Sequence, residues 1–388
     1  MPPRWLVSRA FDLTWFFGGA ALSVLVLALY FVVGAPIVAL WWIWLLAFDG
    51  PHIGAAFTRT YLDRDEWRRR PGLLLTSLLT FALGPLFLAT SVITGSPDPF
   101  LLFLGLATFY GYYHVVRQHY GFVALYNTVN QDWKTASVAL DKWTLYIGCW
   151  APYAYFLLTH PNARALLRLT PGAPSPPEAI AGYLLLGLWL IVIGRFVARH
   201  LIDDGFRLRN PKTPYLAGTV VLYGVIYLAI ARFEPVYGAS HGPDQDFLLL
   251  SIVIVIFHNL QYVGLVWFHN RNRYAGAGAE HGLASLVNRG PGLFLGACLA
   301  FSLGIYATVA CATGAFPACH WFEGAGVGPV TWNQIGLCLW WGLAMNHYYL
   351  DQKIWRIRDD AALSRSLRLA RVRIARLRRP WPVPEGSN

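Results

Sequence analysis

Predominantly apolar runs of about 20 residues, the length an α-helix needs to cross a hydrocarbon core, recur along the chain and are separated by short polar connections. They extend over Trp15–Val33, Pro36–Phe57, Gly72–Thr94, Phe100–Tyr126, Trp143–Thr159, Ile180–His200, Tyr215–Ala231, Phe247–His269, Pro291–Thr313 and Trp332–Trp355. In lipid a backbone can satisfy its own polar groups only as a helix or a closed barrel, so runs of this length predict an all-α polytopic bundle of about ten transmembrane helices. Only 13% of the residues are charged, against about 25% in soluble domains. Met1–Asp12 is basic, but the run that follows has no small-residue cleavage site and reads as a retained span.

Short loops rich in Lys and Arg stay in the cytoplasm, and this sets the orientation. Arg59–Arg70, Asp203–Lys212, Arg271–Arg289 and the tail after Trp355, with a milder segment around Lys134 and Lys142, all fall on one side of a ten-span bundle. Gly95–Pro99, Arg232–Gln245 and Thr313–Thr331 carry few cations; His160–Glu178, with Arg164 and Arg168, is the exception. Both termini are therefore expected in the cytoplasm of a bacterial-type inner membrane. The net charge of +11 serves orientation and contact with anionic lipid, because no nucleic-acid module accompanies the arginines.

Residues 1–355 read as one transmembrane domain and 356–388 as a basic cytoplasmic tail. Leu363, Leu367, Ala370, Ile374 and Leu377 repeat at helical spacing there, with Arg365, Arg368, Arg371, Arg376 and Arg379 on other faces. That pattern fits an amphipathic helix on the inner leaflet and equally a solvated tail. The five cysteines form no Cys-x-x-Cys pair, which argues against a thiolate metal site. Cys311 and Cys319 fall near the outer face, where a disulfide can form but is not demanded.

Within the fourth run, Tyr110–Gly121 places Arg117, His114 and His119 where lipid would ordinarily select Leu or Val. Ionisable groups at that depth are costly and mark function. The other histidines extend the pattern. In a ten-span bundle the odd-numbered helices hold none, while the even-numbered ones hold His52, His114, His119, His200, His258, His269 and His347. At 1.5 Å per residue, His52, His119, His258 and His347 lie roughly 7–17 Å from their cytoplasmic ends, with His114 at a depth similar to His258. Helical phase adds polar partners: Asp49 with His52, Gln118 with His114, Gln261 with His258 and Asp351 with His347. His114 and His119 are five residues apart and so diverge by about 140°, unless a π-bulge intervenes.

Neutral imidazole is the commonest transition-metal ligand, and it suits iron, copper and zinc. His52, His114, His119, His258 and His347 are the candidate ligands of one or two metal ions, iron first, with copper or zinc as alternatives. Asp49, Gln118, Gln261 and Asp351 are candidates to hold the far ring nitrogens, and Arg117, Tyr113 and Tyr262 are candidates for direct catalytic roles. Tyrosines and Trp355 around such a centre would form a dry cavity suited to oxygen chemistry beside an apolar lipid or isoprenoid substrate in the cytoplasmic leaflet. An electron-donor protein is a further expected partner. Two other functions fit the same residues. One is a haem-binding electron-transfer protein with axial ligands such as His114 and His258. The other is a transporter or scaffold with polar-lined helices interrupted near Gly50–Pro51.

The motifs resemble membrane-bound histidine-box iron oxygenases. Pro51-His52 followed by Gly54, and His119-Tyr120-Gly121, are similar to elements of the bacterial and archaeal membrane β-carotene dioxygenase family associated with retinal formation. The His-x4-His of His114 and His119 resembles the first box of fatty acid desaturases and hydroxylases. The resemblance implies an iron-dependent, oxygen-using centre.

Overall fold

The computed structural model describes residues 4–160, 163–164, 169–170, 173–200, 210–232, 243–276, 279–312 and 326–369. Each apolar run is helical: α1 Arg9–Phe31, α2 Ile37–Thr58, α3 Pro71–Thr94, α4 Asp98–Asn130, α5 Thr135–Thr159, α6 Pro176–Ala198, α7 Lys212–Leu228, α8 Pro243–Arg273, α9 Pro291–Ala312 and α10 Trp332–Ile354. Apart from an isolated bridge between Val327 and Val330, the described residues contain no β-structure. Among the described residues seven helices, α1–α4, α6, α8 and α9, are long and apolar enough to cross a membrane. The other three stand at the expected positions but fall outside that set. α7 has 17 residues, and α10 carries Asn346, His347, Asp351 and Gln352 among its apolar residues.

Among the described residues, π-helical turns interrupt helices at Leu13–Phe17, Leu45–Asp49 and Ser302–Tyr306. The second ends just before Gly50 and Pro51, a residue that has no N–H to donate to the helix. Ser302 of α9 reaches across and donates to the Leu46 carbonyl at 2.9 Å. Gly50 makes this approach feasible, since a Cβ there would collide with Ser302 Oγ. The α4 helix is regular through Gly121, with no π turn between His114 and His119.

α8 is the central post: 83% of its apolar window is buried, against 17% for the peripheral α6. α1 packs along it, α2 pairs with α9, α3 with α10, and α5 with α6 and α7. Val24, Leu25, Leu86, Ile93, Leu184 and Ile191 remain exposed on outer helices, the outward apolar surface expected against lipid. α2 and α4 each contact both α8 and α10, and these four helices form an inner group.

The ends of α2 and α8 are tied by an ion-pair network. Asp63 accepts from Arg273, from Tyr274 Oη at 2.9 Å and from His281 Nδ1 at 3.0 Å. Burial would raise the Asp63 carboxyl, but Arg273 and these donors hold it below its ordinary range. Asp63, Asp65 and His281 come close enough together to suggest a metal site, yet the Arg273 guanidinium already lies 3.0 Å and 2.8 Å from the two carboxylates.

The start of the tail folds back onto this end of the bundle. Asp360 caps a short helix, Ala361–Ser366, whose Leu363 is buried, as is Leu367 just beyond it. Ser366 Oγ meets His269 Nδ1 at 2.6 Å, so His269 is a packing histidine. Of the expected amphipathic helix, the described part is helical only over Ala361–Ser366, packed against α8, and it ends where Arg368 takes a φ of 56°. Ala370, Arg371, Ile374, Arg376, Leu377 and Arg379 lie outside the described residues. Cys149, Cys298 and Cys338 are free and buried, and Cys311 is disulfide-bonded; Cys319 lies outside the described residues.

Candidate metal centre

The inner helices bring four of the five expected ligands together. His52, His114, His258 and His347 are all buried, and each offers a ring nitrogen within 4.8 Å of the others. His52 Nε2 and His258 Nε2 are 3.0 Å apart. The His52 ring lies edge-on to His347 with centroids 4.3 Å apart, and His114 is 5.0 Å from His258 and 5.1 Å from His347. Nitrogens bound to one ion at about 2.1 Å sit roughly 3–4 Å from each other, so the quartet needs little movement to close on a single ion.

Unmet hydrogen-bonding capacity points the same way. His52 Nδ1, His114 Nε2, His258 Nδ1 and both nitrogens of His347 are buried without a hydrogen-bond partner. Orphaned polar groups in such a core cost about 1–3 kcal/mol each. A cation between the rings would take one nitrogen of each; His52 and His258, which face each other through Nε2, would keep Nδ1 outside its coordination.

Carboxylates flank the quartet on two sides. Asp351 Oδ2 lies 3.5 Å from His347 Nε2 and 3.8 Å from His114 Nε2, while its Oδ1 accepts from Tyr262 Oη at 2.6 Å. The Tyr262 ring in turn lies 4.9 Å from both His52 and His347. Asp49 Oδ1 lies 3.9 Å from His52 Nδ1 and accepts from Asn259 at 3.1 Å; its Oδ2 accepts from Tyr306 Oη. The π turns over Leu45–Asp49 and Ser302–Tyr306 both end on this pair, Asp49 and Tyr306. Gln118 donates to the backbone carbonyl of His258 at 2.9 Å and so holds the helix that carries that ligand.

His119 is the correction to the expected ligand set. Without a π turn in α4 it faces α7 and α8, where Nδ1 meets Tyr215 Oη at 2.8 Å and the ring packs on Tyr223 and Phe257. Gln261 belongs with it: its amide donates to Tyr215 Oη at 3.0 Å and to the Phe16 carbonyl at 2.9 Å, away from the quartet. Tyr113 stacks on Tyr110 and stands beside Arg117, with no ring contact to the four histidines among the described residues. Arg117 interacts with Tyr113 and Tyr146 and does not pair with Asp49 or Asp351.

Two cavities meet the quartet. One, of about 440 Å³, is lined by His52 and His258 with aromatic residues that include Trp44, Tyr112, Tyr306 and Trp340. The other, of about 290 Å³, lies between α4 and the end of α10; its walls include His114, Arg117, Gln118, Asp351 and Arg356. Tyr348, stacked on His114 at 4.3 Å, borders the aromatic cavity.

Tyr306 and Asn259 were not singled out in the sequence. Asn259, adjacent to His258, also accepts from Trp44 Nε1 at 3.0 Å. An Asn beside a buried His, and a Tyr in an otherwise apolar α9, were the available signals. No family model matches the chain, and no curated protein or solved structure is significantly similar to it.

Proposed function

We propose that this chain is an integral membrane oxidoreductase with a non-haem metal centre, iron by preference, held by His52, His114, His258 and His347. It would act on an apolar lipid or isoprenoid with molecular oxygen, and take electrons from a donor protein if the reaction requires them. The observation that carries this reading is the convergence of four buried imidazoles from four helices to within 4.8 Å. Nitrogens gathered around one point favour a single ion over two, because paired ions stand about 3.5–4 Å apart and need more ligands. When bound, iron would supply one-electron and oxygen chemistry.

The residues around the quartet fit that role. Asp351 and Asp49 stand 3.5–3.9 Å from the rings, close enough to orient them once an ion is bound, and Tyr262 fixes Asp351. The aromatic cavity excludes water and offers an apolar wall to the substrate beside His52 and His258. Arg117 acts from the second cavity, next to His114. In the proposed ten-span topology both termini are cytoplasmic. The disulfide at Cys311, at the end of α9, supports the orientation, since disulfides persist on the oxidising face. The likeness to membrane histidine-motif oxygenases enters the proposal on the same footing.

A haem protein is less well supported. A porphyrin between two axial histidines would have to occupy the space that the other two imidazoles fill. A transporter lined by these polar stripes would not require four imidazoles to converge on one point. The test is elemental analysis with optical spectroscopy of purified protein. About one non-haem iron per chain, no Soret band, and loss of the metal in His347→Ala support the reading. A Soret band, or an unchanged metal content in His347→Ala, overturns it.

A further inference from the structure

We infer that the cavity between α4 and the end of α10 binds the anionic end of an amphipathic molecule, a carboxylate or phosphate attached to an apolar chain, and delivers it beside His114 and Asp351. This rests on the reading of the histidine quartet as a centre that transforms a membrane-dissolved substrate, and it narrows the class of that substrate.

The cavity has one wall on α4, where His114, Arg117, Gln118, Gly121, Leu125 and Thr128 recur at helical spacing. At 1.5 Å per residue this stripe runs about 21 Å along the helix axis. The opposite wall carries Asp351, Gln352, Trp355 and Arg356, with Leu265 and Leu367 adding apolar surface. One cavity thus combines a largely apolar lining with two guanidinium groups.

Neither guanidinium has an acidic partner among the described residues. Arg117 is bonded to Tyr113 and Tyr146 and stands near Tyr110 and Tyr120, and Arg356 donates to the Gln352 carbonyl at 2.9 Å. Some arginines at the helix ends are paired with acids, Arg70 with Glu66, Arg164 with Glu178 and Arg273 with Asp63, whereas the buried Arg59 sits over the Trp355 ring and donates to the Ile354 carbonyl. An arginine in the body of a spanning helix is costly unless it is paired. Guanidinium groups bind carboxylate and phosphate in a fork geometry that a neutral head does not match. Gln118 and Gln352 border the same cavity, their amides donating to the His258 carbonyl and to Tyr110 Oη.

Gly121 keeps the stripe open. A Cβ built there meets nothing within 4 Å, so a large side chain would extend into the cavity without touching the quartet.

The test uses detergent-purified full-length protein and quenching of tryptophan fluorescence, Trp355 being in the cavity wall. Three brominated probes are compared: a C18 fatty acid, its methyl ester, and a phosphatidylglycerol. Metal content is measured on the same samples. A charge-assisted hydrogen bond that the acid makes and the ester cannot predicts about tenfold tighter binding of the acid. Arg117→Gln and Arg356→Gln should each erase most of that preference, and Gly121→Phe should abolish saturable quenching while the metal content is kept. A preference for the phosphatidylglycerol over the ester that depends on the same arginines also supports the site and assigns the anion to a lipid headgroup. Equal binding of acid and ester, or a preference that survives both arginine substitutions, overturns the inference and leaves the metal centre standing. Absence of metal from wild-type protein defeats the metal reading instead, whatever the probes show.

Discussion

Asp351→Asn separates the charge of this carboxylate from its shape. The amide keeps an oxygen that can accept from Tyr262 Oη, now 2.6 Å from Oδ1, so the tyrosine is not orphaned. What disappears is the negative oxygen that lies 3.5 Å from His347 Nε2 and 3.8 Å from His114 Nε2. Partners of this kind typically contribute 10–100-fold in metal affinity. Two of the four rings share this one oxygen, so the loss should fall near the upper end, about 100-fold or ~2.8 kcal/mol. Asp49→Asn should cost less, because Asp49 approaches a single ring at 3.9 Å and has Asn259 and Tyr306 as other partners. The assay is competition for Fe(II) or Zn(II) between purified protein and a chromophoric chelator. An affinity for Asp351→Asn within twofold of wild type would refute the orienting role. So would an equal loss in Gln261→Ala, whose side chain faces Tyr215 and Phe16.

Other outcomes follow from the same geometry. His119→Ala should keep full metal stoichiometry, whereas His52→Ala, His114→Ala and His258→Ala should each lose it; its cost should appear as about 1–3 kcal/mol of stability from the altered Tyr215 environment. Lys212 is buried between Asp132 at 2.6 Å and Asp141 at 2.7 Å, so Lys212→Met should destabilise by about 3–5 kcal/mol, read by thermal unfolding in detergent; Lys212→Met with Asp141→Leu should recover most of that. A Cβ at Gly19 would lie 2.7 Å from Phe257 Cα and 2.8 Å from its carbonyl oxygen, so Gly19→Ala should push α1 from α8, cost about 1–3 kcal/mol and lower the melting temperature. The Asp63 carboxyl has a lowered folded value, so its stabilisation is complete above the ordinary value of 3.8 and is lost as pH falls through the folded value. Hydrogen exchange at the end of α8 should therefore rise on acidification below that point, and Asp63→Asn should remove the dependence.

The local pattern carried much of the architecture. Apolar length alone marked each long helix, since a lipid-embedded backbone has few ways to satisfy its polar groups. The sorting of histidines onto even-numbered helices, with similar depths, was enough to bring His52, His114, His258 and His347 to one layer. Asp351 was also legible, one helical turn after His347. Boundaries were less so: α4 runs to Asn130 and α8 begins at Pro243, because helices continue into the polar ends where nothing in the hydropathy stops them.

Tertiary structure decided which polar residues belong to the centre. Spacing within α4 left His114 and His119 equally eligible, and only the position of α7 shows that His119 is taken by Tyr215. Gln261 follows the same division, for the same neighbour. Tyr306 could not be assigned from α9 alone, because its partner Asp49 lies 257 positions away in the chain and meets it only where two π turns abut. Arg117 reads in sequence as a charge buried in lipid; in the fold it borders a cavity with Arg356, and neither has an acid beside it among the described residues. Periodicity and hydropathy are properties of one helix, so they set length, depth and face. Which faces meet is settled by side-chain fit between helices far apart in sequence, and that fit selected four histidines of five.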